Sequence, residues 1–171
     1  MKTQNKAQNS SRNKKSQLPR ADFHDYPAPG YYLITITAYP GTPRLSAINM
    51  PSEAILRKGE MIIPDNTELG EYVKEELMAI PRKNPKLQIR RYVIMPDHIH
   101  FVLHVVSELD KPIGRYLAPF TKECSQAYTS LANLPNFTTL FKPFDDQIIF
   151  NKEQLDRAIK YIEDNPRRYL S

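Results

Sequence analysis

The sequence predicts an α+β chain, an antiparallel sheet with helices packed on it, and three observations predict it. Four short runs at 31–38, 87–95, 98–106 and 141–150 are rich in β-branched and aromatic residues, as strands are. Segments of helical periodicity fall between the first pair of runs and between the last pair. A further and more regular helical segment, Asn151 to Asn165, follows the last run.

In chain order, "YYLITITA" (Tyr31–Ala38) is the first strand. "SEAILRKGEMIIP" holds two short apolar runs around Lys58-Gly59 and reads as an extra N-terminal hairpin. Leu69, Tyr72, Val73, Leu77 and Ile80 then follow the i, i+3, i+4 rhythm of a helix. The capping-type residues Asp65, Asn66 and Thr67 precede that helix, and "PRKNPK" is expected to end it. "LQIRRYVIM" and "HIHFVLHVV" are two strands broken at Met95-Pro96-Asp97, where proline cannot donate to a ladder. A second helical stretch runs from Pro112 to about Asn133, and Pro119 should kink it or mark its true start. "FKPFDDQIIF" is the last strand. In the final helix Asn151 is a good N-cap, with Gln154 three residues on in a capping-box arrangement. Leu155, Ala158, Ile159 and Ile162 form its buried stripe. It should stop at Asn165, because the residue before Pro166 is disfavoured in the α region. Without the hairpin and the last helix the order is β-α-β-β-α-β, the ferredoxin-like split pattern.

A chain of 171 residues suits one domain and is long enough for a core. The net charge of +5 suggests nucleic acid, but its location matters. Residues 1–20 hold six Lys or Arg and no acidic residue. The remaining 18 basic and 19 acidic residues leave the body near −1. Residues 1–22 are therefore expected to be a disordered basic tail able to attract phosphates, with one domain over 23–171. A solubilising role for the tail is the alternative. The single Cys124 fits a reducing cytoplasm. No apolar stretch is long enough for a membrane span, and the N-terminus lacks a secretory signal's apolar core.

The chemistry is in two places. His98 and His100 flank a single apolar residue on a strand, so they share a face with Cα atoms about 6.6 Å apart. Two imidazoles so placed can converge on one ion. His104 has the same parity but lies about 13 Å further along, so it and His24 read as structural. The alternative is that a half-exposed strand simply carries polar residues at alternate positions. On the last helix Tyr161 and Asn165 are four apart, one above the other, on the border of the apolar stripe. They could instead be an edge tyrosine and a helix-capping asparagine. Taken together, two imidazoles and a carboxamide oxygen make a mixed N/O site with open positions, suited to Mg²⁺ or Mn²⁺. A phenol on the adjoining turn is close enough to be a nucleophile.

"YVIMPDHIHFVLHV" resembles the HUH strand (histidine, hydrophobic, histidine) of single-tyrosine transposases, especially the REP-associated tyrosine transposases. "KYIEDNP" is similar to that family's catalytic helix, whose pattern is Tyr-Ile-x-x-Asn-Pro. The resemblance covers most of residues 22–171, from "RADFHDY…GYYLITIT" through "LFKPFDDQIIF" to the last helix. It implies a ferredoxin-like sheet with a C-terminal catalytic helix. It further implies that His98 and His100 bind a divalent metal ion, Mg²⁺ or Mn²⁺, with Asn165 as third ligand and Tyr161 as nucleophile. The implied activity is a metal-dependent DNA transposase and endonuclease acting on single-stranded DNA beside a hairpin. Its product is a 5′-phosphotyrosine and a free 3′-hydroxyl.

Candidates for DNA backbone contact are Arg90, Arg91, Lys142, Arg167, Arg168 and the tail, with a solvated basic face as the alternative. A monomer or homodimer in the cytoplasm, associated with the nucleoid, is the expected state. There are departures from the family. Its last strand carries Trp, a basic residue, Asp-His and Ile-Arg where this chain has Phe141, Pro143, Asp146-Gln147 and Ile149-Phe150. Its Phe-Lys pair on the second helix is here Phe120-Thr121, with Lys122 next. These departures bear on DNA recognition, since all four chemical positions are present. The rival readings are an inactive, domesticated DNA-binding protein of the same fold, an RNA-binding module, and a hydrolase using activated water.

Overall fold

The computed structural model describes residues 28–49 and 61–170. The basic tail, His24 and the Lys58-Gly59 turn of the expected hairpin lie outside the described residues. The elements are β1 (Gly30–Thr37), β2 (Ser46–Ala47), β3 (Asp65–Asn66), α1 (Glu68–Lys83), β4 (Leu87–Ile94), β5 (His98–Val105), α2 (Ile113–Leu131), β6 (Asp145–Ile149) and α3 (Lys152–Tyr169). β2 pairs with β3, on either side of the stretch read as a hairpin, and Met61–Pro64 is not strand.

Strands β4, β5, β1 and β6 form one antiparallel sheet in that order. β5 is inserted between β1 and β4, the two strands of the β1-α1-β4 unit, which is the split that the element order implied. Alternation along the strands gives the sheet two working faces. Tyr32, Ile34 and Ile36 of β1 join Ile99, Phe101 and Leu103 of β5 in the main core, beneath α1 and α2. The opposite face carries a smaller cluster in which Val93, Met95, Val102 and Ile149 pack against Ala158 and Ile162 of α3. Leu155 and Ile159, expected in the buried stripe of α3, are half-buried at the edge of this cluster. α3 therefore covers the sheet face that α1 and α2 leave open, and both candidate histidines lie on that face.

Local chemistry explains where α1 and α3 begin. Thr67 caps α1 by accepting from the Gly70 N–H at 3.1 Å, and its own hydroxyl donates to the Arg44 carbonyl at 2.9 Å. Gly70 has to be glycine, since a Cβ there would sit 1.8 Å from the Leu45 carbonyl oxygen. Asn151 caps α3 by accepting from the Gln154 N–H at 2.9 Å. Gln154 accepts in return from the Phe150 N–H at 2.8 Å, completing a capping-box exchange one residue upstream of the usual partner.

α1 ends inside "PRKNPK" and α2 spans nearly the expected stretch, but α3 does not stop at Asn165 as expected. α1 continues through Pro81 to Lys83, α2 begins six residues ahead of Pro119, and α3 passes Pro166 to reach Tyr169. A helix-interior proline costs one hydrogen bond, here that to the Ile162 carbonyl. Pro166 is itself buried and shares a cavity wall with Ile162 and residues of β4, and burial of its ring there opposes that loss. Beyond it, Arg44 donates to the Tyr169 hydroxyl at 3.3 Å and ties the extended end of α3 to the body. β6 is shorter than expected, with only an isolated bridge, Ala38 to Phe141, ahead of Pro143. No helix among the described residues is long and apolar enough to cross a membrane.

Candidate active site

The two histidines owe their position to a tight β4–β5 connection. Met95 N–H donates to the His98 carbonyl at 2.8 Å, leaving Pro96 and Asp97 as a two-residue turn. Neighbouring backbone fixes that turn: Leu45 N–H donates to the Pro96 carbonyl at 2.9 Å and Ala38 N–H to the Asp97 carbonyl at 2.8 Å. Strand register then sets His98 opposite Thr37 and His100 opposite Thr35, both on the α3 side.

The structure brings His98, His100 and Tyr161 together. The two imidazole centroids are 4.6 Å apart, edge to face. The Tyr161 hydroxyl oxygen is 3.5 Å from His100 Nε2, with the rings 5.2 Å apart and again edge to face. Asn165, one turn further along α3, is buried, and its carboxamide makes no hydrogen bond among the described residues. Arg168 continues the same helix face, with its guanidinium carbon 5.4 Å from the centre of the Tyr161 ring.

Each histidine is held by its Nδ1. His98 Nδ1 is 2.7 Å from an Asp97 carboxylate oxygen, and His100 Nδ1 is 2.8 Å from the Thr35 hydroxyl. His100 is only 6% exposed, and burial first, with His98 beside it second, lowers its pKa from 6.5 to about 4. It is therefore neutral at physiological pH, as a metal-ligating imidazole must be. Among the described residues no three His, Cys, Asp or Glu side chains gather into a metal site, so a third ligand from these residues would be of another kind. The carboxamide of Asn165, one turn beyond Tyr161 on a largely buried residue, is a donor of such a kind, and with two imidazoles it would make a mixed N/O set of the type that holds a divalent cation with open positions.

The candidate DNA contacts do not form one patch. Arg91 is ion-paired with Glu163 of α3, and Arg90 is exposed at the β-bulge of β4. Arg167 and Arg168 lie on the turn after Asn165. Lys142 lines a separate groove of about 420 Å³ with Lys122, Tyr39 and Phe137. A second groove, of about 440 Å³, opens directly beside Tyr161 between β6 and α3, bordered by Thr35, Gln147, Gln154 and Arg157 over Leu33 and Ala158. His104 stacks on Tyr31 with centroids 4.2 Å apart, away from the other histidines. Sequence reading missed Asp97 and Thr35. Asp97 was visible as the acidic neighbour of His98, whereas Thr35 becomes a partner only through strand register.

No family model matches the sequence, and no curated protein matches it. Among solved structures, a REP-associated tyrosine transposase bound to a REP hairpin superposes with a TM-score of 0.55 and 18% identity. That match covers 85% of this chain and 72% of the other. A protein from Deinococcus radiodurans R1, described as a transposase, superposes with a TM-score of 0.40 and 16% identity, covering 79% of this chain and 89% of that one. The first likeness establishes the fold, α+β with a four-stranded antiparallel sheet and three helices, as the sequence pattern predicted. The second is too distant to carry an argument.

Proposed function

We propose that this chain is a single-tyrosine transposase of the HUH kind, cutting and rejoining single-stranded DNA through Tyr161. The observation that carries the reading is the 3.5 Å approach of the Tyr161 hydroxyl to His100, whose ring lies beside that of His98 on a buried sheet face. The fold it shares with a transposase solved on a REP hairpin supports a hairpin-bearing DNA as the substrate, and the unpaired strand beside the hairpin is the part we take to be cut.

His98, His100 and Asn165 are the residues that would hold Mg²⁺ or Mn²⁺, which when bound polarises a non-bridging phosphate oxygen and orients the phosphate. The chain supplies the rest. α3 presents the Tyr161 oxygen to the scissile phosphorus, and the groove between β6 and α3 gives the strand a path to it. The tyrosine oxygen forms a bond to phosphorus as the bond to the preceding 3′-oxygen breaks. The phenol gives up its proton and the 3′-oxygen gains one, leaving a 5′-phosphotyrosine and a free 3′-hydroxyl. Phosphodiester energy is retained in the new bond, so a 3′-hydroxyl can reverse the step without ATP. The Arg168 guanidinium over the Tyr161 ring places positive charge where the phosphate arrives.

The test is a denaturing gel of the protein incubated with Mn²⁺ and a pool of hairpin-flanked single strands labelled at the 3′ end. The wild-type protein retains label covalently and Tyr161→Phe does not. Cleavage without retained label would identify a hydrolase that uses water. Binding with neither cleavage nor label would identify a non-catalytic DNA-binding relative of the same fold.

A further inference from the structure

The hydrogen bonds behind the two histidines are more specific than burial requires. Nothing about packing an imidazole against a sheet demands that both rings be tied at the same nitrogen, yet here both are tied at Nδ1. We infer that Asp97 and Thr35 are positioning residues that lock His98 and His100 in the Nδ1–H tautomer, so that each ring carries its lone pair on Nε2, where on His100 a cation would take the place of the Tyr161 hydroxyl. The inference deepens the metal-site part of the proposed function and rests on it only for its consequence, not for the tautomers themselves.

For His98 the partner decides the tautomer. A carboxylate is acceptor-only, so the 2.7 Å contact with Asp97 requires a proton on Nδ1. The neutral ring then has its lone pair on Nε2. For His100 two hydroxyls decide it between them. Thr35 faces Nδ1 at 2.8 Å and Tyr161 faces Nε2 at 3.5 Å. A hydroxyl can donate or accept, but a phenol is the stronger donor and an aliphatic alcohol the better acceptor. The consistent order is Tyr161 O–H donating to Nε2 and Nδ1–H donating to Thr35 Oγ1.

Both assignments also fit the surroundings. Asp97 belongs to the two-residue turn whose carbonyls are held by Ala38 and Leu45, so its carboxylate has a fixed base although it is exposed. Thr35 lies directly opposite His100 in the β1–β5 ladder, and strand pairing alone sets the distance. The two partners therefore come from different elements and act on the two rings independently. An imidazole that binds a cation through one nitrogen typically donates from the other to a carboxylate, carbonyl or hydroxyl, which fixes ring orientation and raises the ligand's basicity. Loss of such a partner typically weakens metal binding about 10–100-fold.

The experiment is a long-range ¹H–¹⁵N correlation spectrum of the uniformly ¹⁵N-labelled full chain, metal-free and at mildly alkaline pH, followed by Mn²⁺ titration read by electron paramagnetic resonance. In the wild-type protein His98 and His100 should both show the Nδ1–H pattern, the minor form of free imidazole. Asp97→Ala should release His98 alone, and Thr35→Val should release His100 alone. Each should weaken Mn²⁺ binding by roughly 10–100-fold. Asp97→Asn and Thr35→Ser keep an acceptor at the same place and should retain both tautomer and affinity. An Nε2–H pattern at either ring of the wild-type protein overturns the inference without any variant having to fold. So do unchanged tautomers in Asp97→Ala and Thr35→Val. Correct tautomers in a wild-type protein that binds no Mn²⁺ would uphold the positioning role and sink the metal-dependent reading instead.

Discussion

His100 couples the site to the stability of the protein. The folded ring titrates near 4 and an exposed imidazole near 6.5, so between those values the unfolded chain binds more protons than the native one. The stability associated with the neutral ring is fully present above about pH 6.5 and is lost as pH falls toward 4, by roughly 2–4 kcal/mol. Urea denaturation of the metal-free protein at about pH 7 and about pH 4.5 measures it, and His100→Gln should lose most of that pH dependence. Equal slopes for variant and wild type would mean that the ring is not held neutral by burial. At this scale the sequence was partly legible. His98, His100 and Tyr161 could be placed from parity and helical spacing alone, because both are short-range rules. The Thr35–His100 contact could not, because it joins residues 65 apart through a register that no local pattern encodes.

Among the elements, the helices show where local rules give way to packing. The N-caps Thr67 and Asn151 were readable because capping is a contact within one turn. The C-terminal end of α3 was not, since local preference stops a helix at proline while burial of Pro166 against the sheet lets α3 continue. The extension matters for the site because it carries Arg167 and Arg168 past Asn165 in helical register with Tyr161. Gly70 is a second conflict between local and tertiary demands. Helix propensity alone would make Gly70→Ala stabilising by about 1 kcal/mol. The Leu45 carbonyl oxygen, 1.8 Å from the new Cβ, is backbone and cannot swing aside as a side chain would. It is itself held by the Thr67 N–H at 2.9 Å. Gly70→Ala should therefore destabilise by about 2 kcal/mol or more, measured by chemical denaturation. A neutral or stabilised variant would show that the start of α1 can move away from the 44–46 segment.

On the proposed reading, the whole molecule would separate the two demands of a DNA substrate, chemistry and attraction. The sheet with α3 across its second face holds the reactive groups, while the body's charges nearly cancel, with 18 basic residues against 19 acidic beyond residue 20. Several of the body's cations are also engaged, Arg91 with Glu163 and Lys160 with Asp164 among them. Residues 1–20 carry six cations and no anion. Counterion release from a single strand contributes about 0.7 to the salt slope of binding per phosphate neutralised. If all six engage, deleting residues 1–20 should flatten the plot of log K against log salt by roughly four. Low-salt formation of the covalent adduct should persist in the truncated protein, because Tyr161, His98, His100 and Asn165 all lie in the body. Fluorescence anisotropy of a labelled hairpin-flanked single strand across a salt series measures the slope in both proteins. An unchanged slope would move the electrostatic contact onto the body, with Arg167 and Arg168 on the turn after Asn165, and Arg90 on β4, as the first residues to test. A lost adduct with a flattened slope would mean instead that the tail delivers the strand to Tyr161 and is part of the active machinery.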